Sequence, residues 1–238
     1  MKKIPSRLIT ALLVLIGCAA LTHATTLFGQ DFKSLNVFRS SSALPKDLKR
    51  VLVLPLAYDE SRVDLTSGCE MLDPILQAEL VKTKKFEVVP SGSEMLHSLT
   101  GRCGWTGAEI LPADFFDSLQ RAYGCDAVLF CQLTAFRAYV PLTVGWRLKL
   151  VDIHSQKIIW SADEASDAGE PVVARGAKQF QKKQQNISGE VKSLLKTLLK
   201  YADRQPPSAL EDQWAILNSP RYFSQYSAAK LLQTLPER

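Results

Sequence analysis

Residues 125–161 read CDAVLFCQLTAFRAYVPLTVGWRLKLVDIHSQKIIWS, from Cys125 to Ser161, and this stretch decides the fold. Apolar and polar residues alternate through most of it, and turn residues interrupt it twice. That is the signature of three consecutive antiparallel strands. In the middle strand Leu142, Val144, Trp146, Leu148 and Leu150 share one face, while Thr143, Gly145, Arg147 and Lys149 share the other. A sheet with an apolar face needs a covering layer.

The flanking segments supply one. Upstream, Val51 to Leu56 reads VLVLPL, a buried strand that stops near Pro55. Ala57 to Gly68 is a polar, acidic loop. Leu72 to Thr83 follows as a helix with Leu72, Ile75, Leu76 and Leu80 on one face, Asp73 as cap and Pro74 in its first turn. Phe86 to Val89 is a second short strand closed by Pro90, and Ser91 to Leu99 a helix capped by Ser91 or Ser93. Thr100 to Gly107 is a glycine-rich loop. Pro112 to Tyr123 is a further helix, with Phe115, Phe116, Leu119, Ala122 and Tyr123 inward and Gly124 as its stop. The order β-α-β-α-α-β-β-β predicts an α+β fold, a mixed sheet of about five strands with helices on one face.

Downstream, Ala162 to Gly176 is acidic and then loop-like. Ala177 to Ala202 is the strongest helical pattern, with Ile187, Val191, Leu194, Leu195, Leu198 and Leu199 as an apolar stripe. Pro206-Pro207 ends it. The tail from Ser208 holds Trp214, Ile216, Tyr222, Phe223 and Tyr226. It is too apolar for a disordered segment and is expected to pack on the domain or on a partner.

The amino terminus reads as an address. Lys2, Lys3 and Arg7 precede an apolar run from Leu8 to Ile16 that is too short to cross a bilayer, which takes about 20 residues. A basic start, a short apolar run and a small residue before the cut describe an export signal. Leu15-Ile16-Gly17-Cys18 resembles the lipobox of bacterial lipoproteins, where the cysteine receives a lipid anchor whose acyl chains include palmitate. The alternative is an ordinary secretory signal cut a little later. Ala19 in second place implies, by resemblance to enterobacterial sorting, the outer membrane. Ala19 to Lys49 reads as a tether, with room for a short strand near Asn36 to Arg39. The chain thus divides into a signal (1–17), a tether (18–49), an α+β module (50–168) and a helical extension (169–238).

Composition narrows the function classes. Hydrophobic content of 46% and charged content of 22% fit a folded domain rather than a disordered chain. The formal charge of +5 falls to +2 once Lys2, Lys3 and Arg7 leave with the signal, so there is no electrostatic footprint for nucleic acid.

The order of elements resembles a family of envelope lipoprotein domains, as do two local phrases: Gly124-Cys125-Asp126-Ala127-Val128-Leu129-Phe130 before the meander, and Leu150-Val151-Asp152-Ile153 with Lys157-Ile158-Ile159-Trp160-Ser161 across its last hairpin. The family includes the curli secretion channel lipoprotein, the lipoprotein activator of penicillin-binding proteins and the amino-terminal domain of the Tol-system translocation protein. Its fold is similar to the anticodon-binding domain of some tRNA synthetases. The resemblance covers roughly residues 49–166 and implies a non-enzymatic binding and assembly module, with envelope proteins or further copies of itself as partners.

Residue by residue, no catalytic set stands out. Asp152, His154 and Ser155 look like a triad but sit in a hairpin turn, where Asp and Ser serve the backbone. Asp59, Glu60 and Asp64 read as a solvated loop, and Ser91-Gly92-Ser93 as helix capping without the spacing of a phosphate loop. The histidines His23, His97 and His154 and the lack of a CxxC argue against structural zinc. No small-molecule cofactor is expected. Of the cysteines other than Cys18, Cys69 and Cys103 fall in loops after the first two strands and are the favoured disulfide, with the other pairings and free thiols left open. Cys131 reads as a small buried apolar residue. Lys182, Lys183, Lys192, Lys196 and Lys200 line the polar side of the long helix. They form either a surface for anionic lipid or an acidic partner, or a solvated face. The readings that compete with a binding module are a cell-wall hydrolase and a peptidoglycan- or glycan-binding module. The latter would show Trp105 and Trp160 as an exposed aromatic platform.

Overall fold

A computed structural model describes residues 36–59, 61–198 and 215–238, the side chains of 186–198 excepted. Its strands are β1 (Val37–Arg39), β2 (Arg50–Val53), β3 (Glu87–Pro90), β4 (Ala127–Arg137), β5 (Thr143–Asp152) and β6 (Ile158–Asp167). The described helices are α1 (Thr66–Thr83), α2 (Ser93–Thr100), α3 (Phe115–Tyr123), α4 (Pro171–Leu198), α5 (Ala215–Asn218) and α6 (Pro220–Leu232). The strands pair into one mixed sheet in the order β1-β6-β5-β4-β2-β3, so the fold is α+β.

The meander forms as the alternation requires. Leu129, Cys131 and Leu133 of β4 stand opposite Leu150, Leu148 and Trp146 of β5. Leu150 and Leu148 in turn stand opposite Trp160 and Ala162 of β6. Residues directly opposite share a face, so these side chains form one apolar sheet surface, and all of them are buried. Strand β6 runs past Ser161 to Asp167, through residues expected to be loop-like. Only small or polar residues follow Ala162 there, which hides the alternation, yet the backbone still pairs with β5 as far as Thr143.

β2 lies parallel to both β4 and β3, which places a helical crossover after each of β2 and β3. The expectation of helices on one face is corrected here, because both faces are covered. Leu52 and Leu54 pack with Val128, Phe130, Leu96, Phe115 and Leu119 beneath α2 and α3. Val51 and Val53 alternate to the opposite face, which α1 and α6 cover. Continuous apolar runs such as VLVLPL are what a strand buried on both sides needs.

Local boundaries differ in instructive ways. Helix α1 begins at Thr66, so Pro74 lies inside it and Asp73 is not its cap. Asp73 instead fastens the end of β2 to the helix: its Oδ1 accepts the Leu56 N–H at 2.8 Å and its Oδ2 accepts the Gln77 amide at 2.8 Å. Burial holds this carboxyl above its usual range, although the Leu56 bond opposes the shift. Leu72, Leu76 and Leu80 point into the core as spaced. Helix α2 starts after Gly92 with no side-chain cap, and Ser91 is buried with its Oγ 3.2 Å from the Tyr123 hydroxyl. Helix α3 starts at Phe115 rather than Pro112, buries Phe115 and Leu119, leaves Ala122 exposed and ends at Gly124 with φ +57. That left-handed turn suits glycine.

The tail is part of the core. On α6, Phe223, Tyr226, Leu231 and Leu232 are buried, and Leu235 follows them. The Trp146 indole N–H donates to Ser227 Oγ at 3.1 Å, and the Trp160 indole to Thr234 Oγ1 at 3.1 Å. Leu44 N–H donates to the Glu237 carbonyl at 2.7 Å, and Arg238 donates to the Leu48 carbonyl at 2.6 Å. Residues near the two ends of the described chain are thereby joined. Helix α4 starts at Pro171, earlier than expected, buries Val173 and Ala177, and sets the Phe180 ring 5.7 Å from that of Tyr226.

Candidate functional site

Helices α2 and α3 cover only part of their sheet face. Their layer ends at β4 and the last turn of β5, where Lys149 donates to the carbonyl of Gly107 in the loop between the two helices. Beyond that line no element covers the outer half of the face among the described residues. Its floor is polar: Arg147 bonds Asp163 through Nε at 2.7 Å and reaches Gln132 Oε1 at 3.4 Å, and Ser161 lies beside them. Phe38 flanks it, and a second exposed apolar group lies in the loop between α2 and α3. Phe38 of β1, opposite Ser161, is 51% exposed, and Ile110 of the α2–α3 loop is 97% exposed.

A second feature lies at one end of the sheet. The β4–β5 turn carries Tyr139, 72% exposed, and Val140, 61% exposed. One guanidinium fixes it: Arg137 Nε donates to the Pro141 carbonyl at 2.5 Å, Nη2 reaches Asp167 at 3.3 Å, and the group lies 5.9 Å from the Tyr139 ring centroid. Val63, 75% exposed, sits in a 3-10 turn at the same end. The chain pairs Ala57 with Gln132 and then passes so close to the hairpin that a Cβ on Gly68 would lie 2.7 Å from the Phe136 ring.

The residues singled out from sequence are distributed as follows. Cys18, Glu60 and Lys200 lie outside the described residues, as do the side chains of Lys192 and Lys196. Lys182 and Lys183 are exposed on α4. Asp152 accepts the N–H and hydroxyl of Ser155 at 2.6 and 2.7 Å. Burial pulls this carboxyl upward, but those two bonds outweigh it and leave it below the ordinary value. His154 faces Gln120 instead, so these three residues build a turn. Asp59 is held low by the Ser61 hydroxyl, and Asp64 by Arg62. They are occupied with separate partners. Trp105 and Trp160 are both buried, so the aromatic platform is not formed. Trp105 packs edge-on against Phe115 at 5.4 Å. Among the described residues no three His, Cys, Asp or Glu side chains cluster as metal ligands, and no helix is long and apolar enough to cross a membrane.

Cys69 and Cys103 are not joined in the structure. All four described cysteines are free thiols, and Cys69 lies in the first turns of α1 rather than in a loop. Burial, with Asp73 and Glu70 nearby, pushes the Cys69 thiol up to about 12. Cys125 and Cys131 are also buried and raised by desolvation. A thiolate-selective maleimide at pH 7 is therefore expected to label a Cys18→Ala variant at Cys103 alone, with Cys69, Cys125 and Cys131 reacting only in denaturant. A native protein with no reactive thiol would show Cys103 to be bridged.

Phe38, Tyr139, Val140 and the Arg147–Asp163 pair stand out only in the structure. Single apolar residues in a turn or on a short edge strand carry no periodic signal. Only their exposure, set by distant chain segments, marks them.

No protein-family model matches the chain. No curated protein matches it either. Among solved structures, the chain is similar to the PelC dodecamer from Paraburkholderia phytofirmans at 15% identity, over 57% of this chain and 84% of that one, with a TM-score of 0.37. Lipoprotein GNA1162 from Neisseria meningitidis is 17% identical over 64% of this chain and 99% of its own, with a TM-score of 0.34. The carboxy-terminal domain of LpoB from Escherichia coli is 18% identical over 49% and 81%, with a TM-score of 0.32. Likeness of this size fixes neither family nor function.

Proposed function

We propose that the chain is a lipid-anchored lipoprotein of a bacterial cell envelope, held at the outer membrane and facing the periplasm. It works without catalysis, as a protein-binding module in the assembly or regulation of an envelope complex. The observation that carries the binding role is the outer half of the sheet face, uncovered among the described residues, with Arg147, Asp163 and Gln132 as its floor and Phe38 exposed beside it. Anchoring is supported by Leu15-Ile16-Gly17-Cys18 behind a basic and then apolar start. In this reading residues 1–17 are removed, Cys18 carries the acyl chains, and the chain up to the sheet sets the reach of the module. Lys182 and Lys183 give α4 a basic exposed side for an acidic partner or lipid headgroups.

The test places a photo-crosslinking amino acid at Phe38, at Arg147 or at the exposed Val81 of α1 in the full-length protein in cells. Discrete adducts of one size are expected from the first two positions and none from Val81. Folded, acylated protein that yields no adduct from Phe38 or Arg147 sinks the proposal that this face binds protein.

A further inference from the structure

We infer that the hairpin end of the domain rests on the bilayer that anchors the chain, with Tyr139, Val140 and Val63 entering the membrane interface. This rests on the anchoring reading above. The argument begins with strand direction. β1 runs antiparallel to β6, with Arg39 opposite Trp160 and Val37 opposite Ala162. The Asn36 carbonyl accepts the Asp163 N–H at 3.0 Å. From Arg39 back to Asn36 the chain therefore runs beside β6 in the direction of Asp167, which stands opposite Thr143 at the base of the β4–β5 turn. From Asp163 to Asp167 is about 13 Å of strand. The described chain thus begins part-way along β6, and β1 read backwards is directed toward the end that carries Tyr139 and Val140. The β5–β6 turn at Ser155 and Gln156 lies at the other end of strands about 30 Å long.

Length and chemistry agree with that direction. Asn36 is 18 positions beyond Cys18, a span of at most about 60 Å when fully extended. The domain is kept within that distance of the anchor. The three exposed side chains suit an interface between water and hydrocarbon: tyrosine is favoured at headgroup depth, and valine just below it. The cations at this end are paired, Arg62 with Asp64 at 2.8 Å and Arg137 with Asp167 at 3.3 Å, and the exposed Asp59 and Glu170 add further acid. Contact therefore depends on apolar burial rather than on anionic lipid. Three side chains are too few to hold a protein on a membrane against the freedom lost. Attached to an acyl anchor they need only orient what is already there, because the tether supplies a high local concentration.

The experiment uses the full-length acylated protein with Cys103→Ser, reconstituted into vesicles of phosphatidylethanolamine and phosphatidylglycerol. A single cysteine replaces Tyr139 in one preparation and Gln156 in another, each carrying an environment-sensitive dye. Doxyl-labelled lipid in the vesicle reads proximity. Quenching several-fold stronger at position 139 than at 156 is expected, with little change on raising salt. With the dye moved to Val63→Cys, a Val140→Asp substitution should reduce the quenching. Equal quenching at 139 and 156, or stronger quenching at 156, on protein whose mass confirms acylation of Cys18 overturns the orientation alone. Absence of acylation overturns the anchoring reading and this inference together.

Discussion

Trp146→Ala is expected to lower the unfolding free energy by about 3–5 kcal/mol, read from the midpoint of a urea melt with unchanged slope. Trp146 is wholly buried at the centre of the meander, with Leu133 of β4 opposite it on the same face. Removing the indole loses its transfer free energy and leaves a cavity that strands on both sides cannot close. It also deprives Ser227 Oγ of one partner, although that hydroxyl still reaches Ser166 Oγ at 3.0 Å. Trp146→Phe keeps most of the volume and gives up the indole bond, so its cost should be about 1–2 kcal/mol. A loss below about 1 kcal/mol for the alanine variant would mean that α6 does not seat on the sheet as described.

Ending the chain before Ser219 should abolish cooperative folding altogether. Phe223, Tyr226, Leu231, Leu232 and Leu235 would all be lost from the core. Each such side chain contributes about 1.5–3 kcal/mol by burial, and together they rival the roughly 5–15 kcal/mol of net stability of a whole domain. The cut also uncovers Trp146 and Trp160 and removes the bonds from Glu237 and Arg238 to Leu44 and Leu48. Circular dichroism should show no sigmoidal thermal transition in the shortened protein. A sharp melt within a few degrees of the full-length value would make α6 an appendage rather than core.

These two expectations concern regions that the sequence made unequally legible. Alternation alone places Trp146 on the buried face. The tail reads only as too apolar to be loose, because nothing in Pro220–Leu232 says which surface it covers. The candidate surfaces were less legible still. Phe38 and Tyr139 look like ordinary strand and turn residues until the sheet order shows which faces and ends stay bare. Trp105 and Trp160 read as surface candidates by residue type, yet each has an interior partner for its indole N–H, Thr100 and Thr234 respectively.

The sequence by itself determined the meander, the left-handed stop at Gly124, the inward leucines of α1 and the α+β class. Each of these follows from a period or a backbone preference written in neighbouring residues. Tertiary structure alone decided that both sheet faces are covered, that Pro74 lies within a helix and that Asp73 joins that helix to β2. These depend on contacts between residues far apart in the chain, where burial and strand pairing outweigh the local signals.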